Sequence, residues 1–441
     1  MSDNSAKLGK NYWRLWSAHA TSNLGDGLAS VAFPWLASAV TRDPFLIALI
    51  AVMSRLPWLV FTLPAGVITD RYDRKKIIVS MNILQGVLAL LLAIIVYFER
   101  DSLPDLSDIT TALDLETNYF IYSLLLLVSL LFGFTEVLRD NAGQTFLPSV
   151  VQKEKLESAN GKLWSAEYVM NSFIGPPISS FLLGVAIYLP FFIHSSTFFV
   201  AAALIGLISR ISKVEPELNP VKRASFSAEI KEGFRWLWSH SLLRPMAIIL
   251  GAMNLVGAIT VATFILFAQE ILKTSVFEFA VLGTAGAVGG ALGGVLGPKI
   301  SKRLGSGPSL YLTLLVLPLT GLVIGLSSNW IVVWAMIFGS TIFAVLWNVI
   351  TVSLRQSIIP SELLGRVNSV YRFFAWGSMP IGTLIGGAIV SATEVFGDRE
   401  LALRMPYFVS LVLGLVIFVF AAPRLTTEKI ERARAEGEPL S

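Results

Sequence analysis

Long runs without an acidic or basic residue alternate with short polar segments along almost the whole chain. Residues 77–98, 117–135, 168–209, 245–269, 279–298, 304–354, 373–393 and 405–423 contain no Asp, Glu, Lys or Arg. About 20 apolar residues in helical form cross the hydrocarbon core of a bilayer. Two of these runs, 168–209 and 304–354, are long enough for two helices each, with breaks expected near Tyr188-Leu189-Pro190 and Ser327-Ser328-Asn329. Residues 15–41 and 44–69 add two further spans, interrupted by Asp26 and Arg55 respectively. The pattern predicts an all-α integral membrane protein with twelve transmembrane helices.

Six spans precede residue 212 and six follow residue 244, separated by a polar connector from Lys213 to Arg244. The expected organisation is a six-helix bundle over 1–212, a connector over 213–244, a second six-helix bundle over 245–423 and a charged tail over 424–441. Within the connector, Phe226, Ile230, Phe234 and Leu237 fall on one helical stripe, and Glu229, Lys231 and Arg235 fall elsewhere around the helix. That stripe predicts an amphipathic helix lying at the membrane interface, or packed on the loops. A faint repeat links the halves. Arg139, Pro148, Asn160 and Pro177 recur as Arg355, Pro360, Asn368 and Pro380, at offsets of 216, 212, 208 and 203 residues. A duplication of six helices is the architecture of a large class of secondary transporters.

Composition agrees and removes alternatives. Of 441 residues, 54% are hydrophobic and 15% charged, against roughly 25% charged in soluble domains, and the mean hydropathy is +0.69. A soluble enzyme is excluded. The net charge of +4 does not point to nucleic acid, because the basic residues sit in short loops. Lys7, Lys10 and Arg14, then Arg71, Arg74, Lys75 and Lys76, then Lys299, Lys302 and Arg303 lie on one side, while segment 99–116 on the other carries six acids against one base. Positive-inside bias then puts both termini in the cytoplasm. There is no cysteine, hence no disulfide or thiolate metal site, and the polar N-terminus lacks the pattern of a cleaved signal peptide. The three histidines, His19, His194 and His240, are scattered, so no metal site is expected. The absence of a phosphate-binding G-x-x-x-x-G-K-[ST] loop removes ATP hydrolysis, and no cofactor is expected. The glycines of GTAGAVGGALGGVLG lie inside an apolar run, so Gly286, Gly290 and Gly294 read as a helix-packing seam.

The loop after the second span reads GVITDRYDRKK. It resembles the G-x-x-x-D-R-x-x-R-[KR] signature of the major facilitator superfamily, with Gly66, Asp70, Arg71, Arg74 and Lys75 at every fixed position. The resemblance implies the major facilitator fold, and makes Asp70 and Arg74 gate residues that hold the halves together when the outer side is open. The corresponding stretch of the second half, GGVLGPKISKRLG, has no Asp, which implies an asymmetric gate. In span five, Gly175-Pro176-Pro177-Ile178-Ser179-Ser180 resembles the G-P-x-x-G-G element of drug/proton antiporters, with Ser-Ser in place of the final Gly-Gly. The stretches SRLPWLVFTLPAGVITDR, KEGFRWLWSHSLLRP and LRQSIIPSELLGRVNSVYRFFAWGSMPIGTLIGG are similar to the branch of the superfamily that contains the enterobactin exporter and the macrolide efflux proteins.

A charge near the bilayer centre costs at least about 2.5–3.5 kcal/mol, so it has a partner or a function. Asp26 lies 12 residues after Arg14, about 18 Å along a helix, and Arg55 is also mid-span, so the two can meet. Such a pair either only fixes the first two helices, or lets Asp26 carry protons or contact a cationic substrate. Glu136, Arg139 and Asp140 cluster near the inner end of span four, with Glu167 a possible partner for Arg139. They read as a snorkelling interfacial cluster or a proton relay. By the family resemblance, spans one, four, seven and ten line the cavity. That adds Asn254 and Asn348 as substrate candidates, with Phe33, Trp35, Phe264, Phe267 and Trp334 as aromatic wall or simple packing.

The resemblance implies a monomeric transporter of a bacterial inner membrane, exporting an amphipathic small molecule such as a drug, macrolide or siderophore. A proton gradient would drive it by alternating access. An importer or symporter, a lipid translocator, and a non-transporting membrane sensor or enzyme are the alternatives.

Overall fold

The computed structural model describes residues 8–104, 109, 115–152, 155–209, 226–360 and 363–437. All regular structure among them is helical. The chain forms two units.

The first unit comprises Met1–Arg42, Met53–Asn219 and Ser275–Gly283. Its helices are α1 (Lys10–Val40), α2 (Pro44–Val60, within this unit from Met53 on), α3 (Thr62–Arg71), α4 (Arg74–Phe98), α5 (Tyr119–Val150), α6 (Leu156–Tyr168), α7 (Gly175–Val185) and α8 (Leu189–Gly206). Two of their starts are written in capping residues. Asp73 accepts from the backbone N–H of Lys76 at 3.1 Å to open α4, and Asn118 from that of Ile121 at 3.2 Å to open α5. Between α6 and α7 the chain makes a π turn, Val169–Ile174. Pro176 and Pro177 offer no N–H to the carbonyls four residues back, and the widened turn absorbs that loss. One apolar core holds Tyr12, Leu15, Ile78, Phe146 and Ile205.

The second unit comprises Asp43–Val52, Pro220–Thr274 and Thr284–Ser441. It holds α9 (Phe226–Ser239), α10 (Leu243–Val261), the short α11 (Phe264–Leu266) running into a π turn, and α12 (Val276–Leu304, within this unit from Thr284 on). Then follow α13 (Ser306–Leu326), α14 (Trp330–Ile358), α15 (Leu364–Gly377), α16 (Met379–Glu394), α17 (Arg399–Ala421) and α18 (Thr427–Gly437). A single residue, Gly305, joins α12 to α13 at φ 84°, a left-handed conformation that glycine adopts without strain. Helix packing is close at Gly289 and Gly293, where a Cβ would meet Phe338 O at 2.3 Å and Val345 Cβ at 2.8 Å. This corrects the expected seam. Gly286 and Gly290 only touch Thr341, and Gly294 faces open space among the described residues. The period of four is right, but the stretch carries two such rows and the other one packs.

Nine helices among the described residues are long and apolar enough to cross a membrane, the α15–α16 pair counting as one. Three expected spans fall short for visible reasons. α1 carries Asp26 among small polar residues, α2 has 17 residues, and the π turn divides the fifth span into pieces of 13 and 11 residues. Large apolar side chains face outward, with Phe98 75% and Phe181 72% exposed. Water tolerates such a surface poorly and hydrocarbon accepts it.

The predicted amphipathic helix exists as α9, although Phe226's side chain lies outside the described residues. It packs on α15: a Cβ on Gly233 would stand 2.8 Å from the Arg366 carbonyl carbon, Glu232 pairs with Arg366 at 2.5 Å, and Leu237 is buried. Phe234 and Trp238 stay exposed and stack on each other at 5.2 Å. The tail also folds, as α18, and buries Ile430 in the core of this unit.

Candidate functional site

Charged side chains converge in the first unit. Arg139 of α5 donates through Nη2 to Asp26 Oδ2 of α1 at 3.0 Å, and through Nη1 to Gln85 Oε1 of α4 at 3.2 Å. Its Nε reaches the neighbouring Asp140 at 3.4 Å, and its guanidinium lies 5.3 Å from the Phe198 ring centroid of α8. Four helices thus hold one guanidinium that is 11% exposed, paired with an Asp26 side chain that is 21% exposed. Glu136, one turn earlier on α5, accepts from Trp58 Nε1 at 3.4 Å, and the charge of Arg55 acts on it.

Two pairings that the sequence left open are not made. Asp26 does not pair with Arg55, which is exposed on α2; its partner is Arg139. Glu167 does not pair with Arg139 but lies 3.5 Å from His19 Nε2. The cause is helix packing. A Cβ on Gly133 would stand 2.6 Å from Ser54 O, so α5 meets α2 there and turns Glu136 toward Trp58. Arg139, three residues on, faces α1 instead. Within the expected cluster Arg139 turns inward, its side chain 11% exposed, while Asp140 is 39% exposed.

Close packing at the flanking glycines fixes Asp26 itself. A Cβ on Gly25 would meet Thr197 Oγ1 of α8 at 2.3 Å, and one on Gly27 would meet the carbonyl oxygens of Met170 and Asn171 at 2.8 Å. A Cβ on Gly175 would lie 2.6 Å from Gly27 Cα. The Gly175-Pro176 element therefore crosses α1 with no side chain between the two backbones, directly beside Asp26. Pro176 is buried in that crossing. Where the antiporter pattern has glycine, the buried Ser179 donates to Leu28 O of α1 at 2.7 Å, so the departure adds a hydrogen bond to the same crossing.

Arg74 and Lys75 of the signature loop make hydrogen bonds inside the first unit. Arg74 donates to Thr145 O of α5 at 2.9 Å, and Lys75 Nζ to Gly206 O and Ile208 O at 2.8 and 2.7 Å. Arg14 donates to Leu207 O. Lys75 and Arg14 thus cap the open carbonyls at the end of α8, where cations are favoured by about 0.3–1 kcal/mol each. Arg71 is exposed, Gly66 faces open space among the described residues, and the side chain of Asp70 lies outside the described residues. Lys75→Ala is expected to lower stability by about 1 kcal/mol, measured by thermal unfolding in detergent. An unchanged unfolding temperature would show that the cap carries no load.

The second-unit candidates stand apart. Asn254 ties α10 to Ala375 O of α15 at 2.7 Å, and Asn348 is exposed and bonds Ala344 O of its own helix at 3.3 Å. Arg355, the repeat partner of Arg139, lies 3.9 Å over the Tyr371 ring. Phe33 packs on Phe132 and Phe191, Trp35 and Phe267 are buried, Phe264 stacks on Phe267, and Trp334 donates to Thr284 Oγ1 at 3.2 Å.

Sequence reasoning passed over several participants. Gln85 is uncharged and His194 looked incidental, yet His194 is 2% exposed and stacks on Phe132 at 5.5 Å, beside Phe198. The bidentate bond of Arg399 to Glu270 at 2.8 and 2.9 Å, with Glu394 beside it, joins the start of α17 to the π turn after α11. The short charged segments flanking spans were the only signal for it.

An array of apolar helices enclosing a charge cluster is the build of a membrane transporter rather than an enzyme. The chain belongs to the Major Facilitator Superfamily, which its sequence matches over residues 15–383. It is 24% identical over 422 residues to the multidrug efflux pump Tap of Mycolicibacterium fortuitum, covering 92% of this chain and 94% of Tap. It is 24% identical over 399 residues to the enterobactin exporter EntS of Shigella boydii serotype 4 (strain Sb227), covering 89% and 87%. Its fold is similar to the crystal structure of a point mutant of the nucleoside transporter NupG, with a TM-score of 0.72 at 9% identity, covering 95% of this chain and all of that one.

Proposed function

We propose that the chain is a proton-coupled exporter of amphipathic small molecules, with Asp26 as the coupling carboxylate. The observation that carries this is the surplus of acid around Arg139. Asp26 and Asp140 contact one guanidinium, and Glu136 stands a turn away. Charge inside a membrane span is retained where it moves ions or protons, and an acid surplus facing a fixed cation can exchange a proton or meet a cationic substrate. Efflux as the direction is supported by the similarity to Tap and EntS.

In this reading α1, α2 with α3, and α6 with α7 complete twelve spans, both termini are cytoplasmic, and the membrane is a bacterial inner membrane. The bundles are 1–212 and 245–423, joined by 213–244 and followed by the tail 424–441, and the transporter is a monomer. Asp70, Arg71, Arg74 and Lys75 serve the gate, and Asn254 and Asn348 face substrate. Alternating access moves a midplane site from one side to the other.

Uptake of labelled siderophores and macrolides into everted membrane vesicles tests the reading. The expected result is uptake that a protonophore abolishes. Uptake unaffected by the protonophore would remove proton coupling, and accumulation only in right-side-out vesicles would make the chain an importer.

A further inference from the structure

The second unit contains a cavity of about 250 Å³ between α10, α13, α14 and α17. None of its lining residues is charged. Two of them, Gly257 and Gly321, have nothing among the described residues within 4 Å of where a Cβ would stand. They are unlike Gly414, also in the wall, whose missing Cβ would collide with Pro318 at 2.6 Å. Gly414 is needed for packing; Gly257 and Gly321 leave space.

The polar part of the wall is specific. Thr260, Thr320 and Ser340 donate their hydroxyl protons to Gly257 O, Val316 O and Ile337 O of their own helices, at 2.9, 2.7 and 3.0 Å. Their oxygens remain available as acceptors. Tyr407, also in the wall, is 4% exposed, and its ring packs on Phe267 at 4.8 Å, so it closes the cavity on the α17 side as an apolar surface.

We infer that this cavity is a binding site for the apolar ring portion of an uncharged amphipathic compound that donates hydrogen bonds to the oxygens of Thr260, Thr320 and Ser340. The inference deepens the exporter reading and rests on it for the identity of the ligand as cargo. Complete ligand sites usually measure about 300–1,000 Å³. The cavity therefore holds one ring system, not a whole macrolide or siderophore, and an absence of charged groups disfavours cations.

The test is equilibrium binding to the purified full-length chain in phospholipid nanodiscs. Radiolabelled chloramphenicol serves as the uncharged probe and tetraphenylphosphonium as the permanent cation, with empty nanodiscs subtracted. Wild type is expected to bind chloramphenicol saturably. Gly321→Leu, which fills the space, should weaken that binding by about tenfold or more. It should leave tetraphenylphosphonium affinity unchanged. Thermal unfolding identifies misfolded protein, and Gly257→Val is the second filling variant. Chloramphenicol affinity unchanged in a stably folded filling variant would overturn the inference, as would no saturable binding by wild type. A phospholipid retained in native mass spectrometry by wild type and lost from Gly321→Leu would also overturn it, in favour of an acyl chain. Binding needs no gradient. A chain that binds the probe but pumps nothing sinks the exporter reading alone, and one that pumps but ignores both filling substitutions sinks this inference alone.

Discussion

Asp26→Asn is expected to reduce gradient-driven uptake into everted vesicles to the level of vesicles lacking the protein, while the chain still reaches the membrane. The amide keeps the shape and can still accept from Arg139 at the present 3.0 Å, but it can neither carry a proton nor balance the guanidinium. Asp26→Ala goes further, because it leaves a guanidinium only 11% exposed without its main partner. Breaking one side of a buried ion pair costs about 3–5 kcal/mol. Removing both sides, as in Asp26→Ala with Arg139→Met, should cost less than the sum of the single losses. Thermal unfolding of the four proteins in detergent measures this coupling. Additive losses would show that the pair is not energetically real. Full gradient-driven uptake by Asp26→Asn would move the coupling role to Glu136 or Asp140.

Gly27→Ala is expected to be nearly as damaging, although alanine is the smallest possible change. The added carbon would stand 2.8 Å from two carbonyl oxygens of the π turn, and backbone cannot swing aside as a side chain can. α1 and the Gly175-Pro176 element must separate, and overpacking of this kind costs about 1–3 kcal/mol. The separation also strains the Ser179–Leu28 hydrogen bond and shifts Asp26, the preceding residue. Reduced yield of folded protein by fluorescence-detected size exclusion, with lost transport in what remains, is the expected outcome. Gly66→Ala is the control, because open space surrounds Gly66 among the described residues, so its fold should be intact. Wild-type stability in Gly27→Ala would show that the two backbones are not in contact.

Hydropathy made the helical membrane class legible, and the loop signature made the superfamily legible. Asp26 and Arg139 stood out because charge in an apolar run demands an explanation. Their pairing did not, because depth along a helix is readable from spacing while the rotation of one helix against another is not. That rotation is set by Gly27 and Gly133, whose meaning emerges only when a neighbour's backbone is known to lie within 3 Å of where a Cβ would stand. Gln85 escaped notice for a simpler reason: an uncharged amide costs too little in an apolar run to attract attention. The glycine seam of α12 failed by register, since two rows with the same period of four run through one stretch. The substitution at Ser179 looked like a weakened motif, and only the bond to Leu28 O gives it a purpose.

The charged cluster lies wholly in the first unit, and the uncharged cavity wholly in the second. Such a partition has consequences for descent with modification. Substitutions at Gly257, Gly321 or Tyr407 alter what fits without touching the acids that surround Arg139. If the acids couple transport and the cavity takes cargo, as proposed, a lineage carrying this arrangement can drift from one cargo to another by point changes in one half, with the other half inherited intact. Relatives that share the Arg139 cluster and differ around the cavity would then be separate solutions for cargo on one shared scaffold.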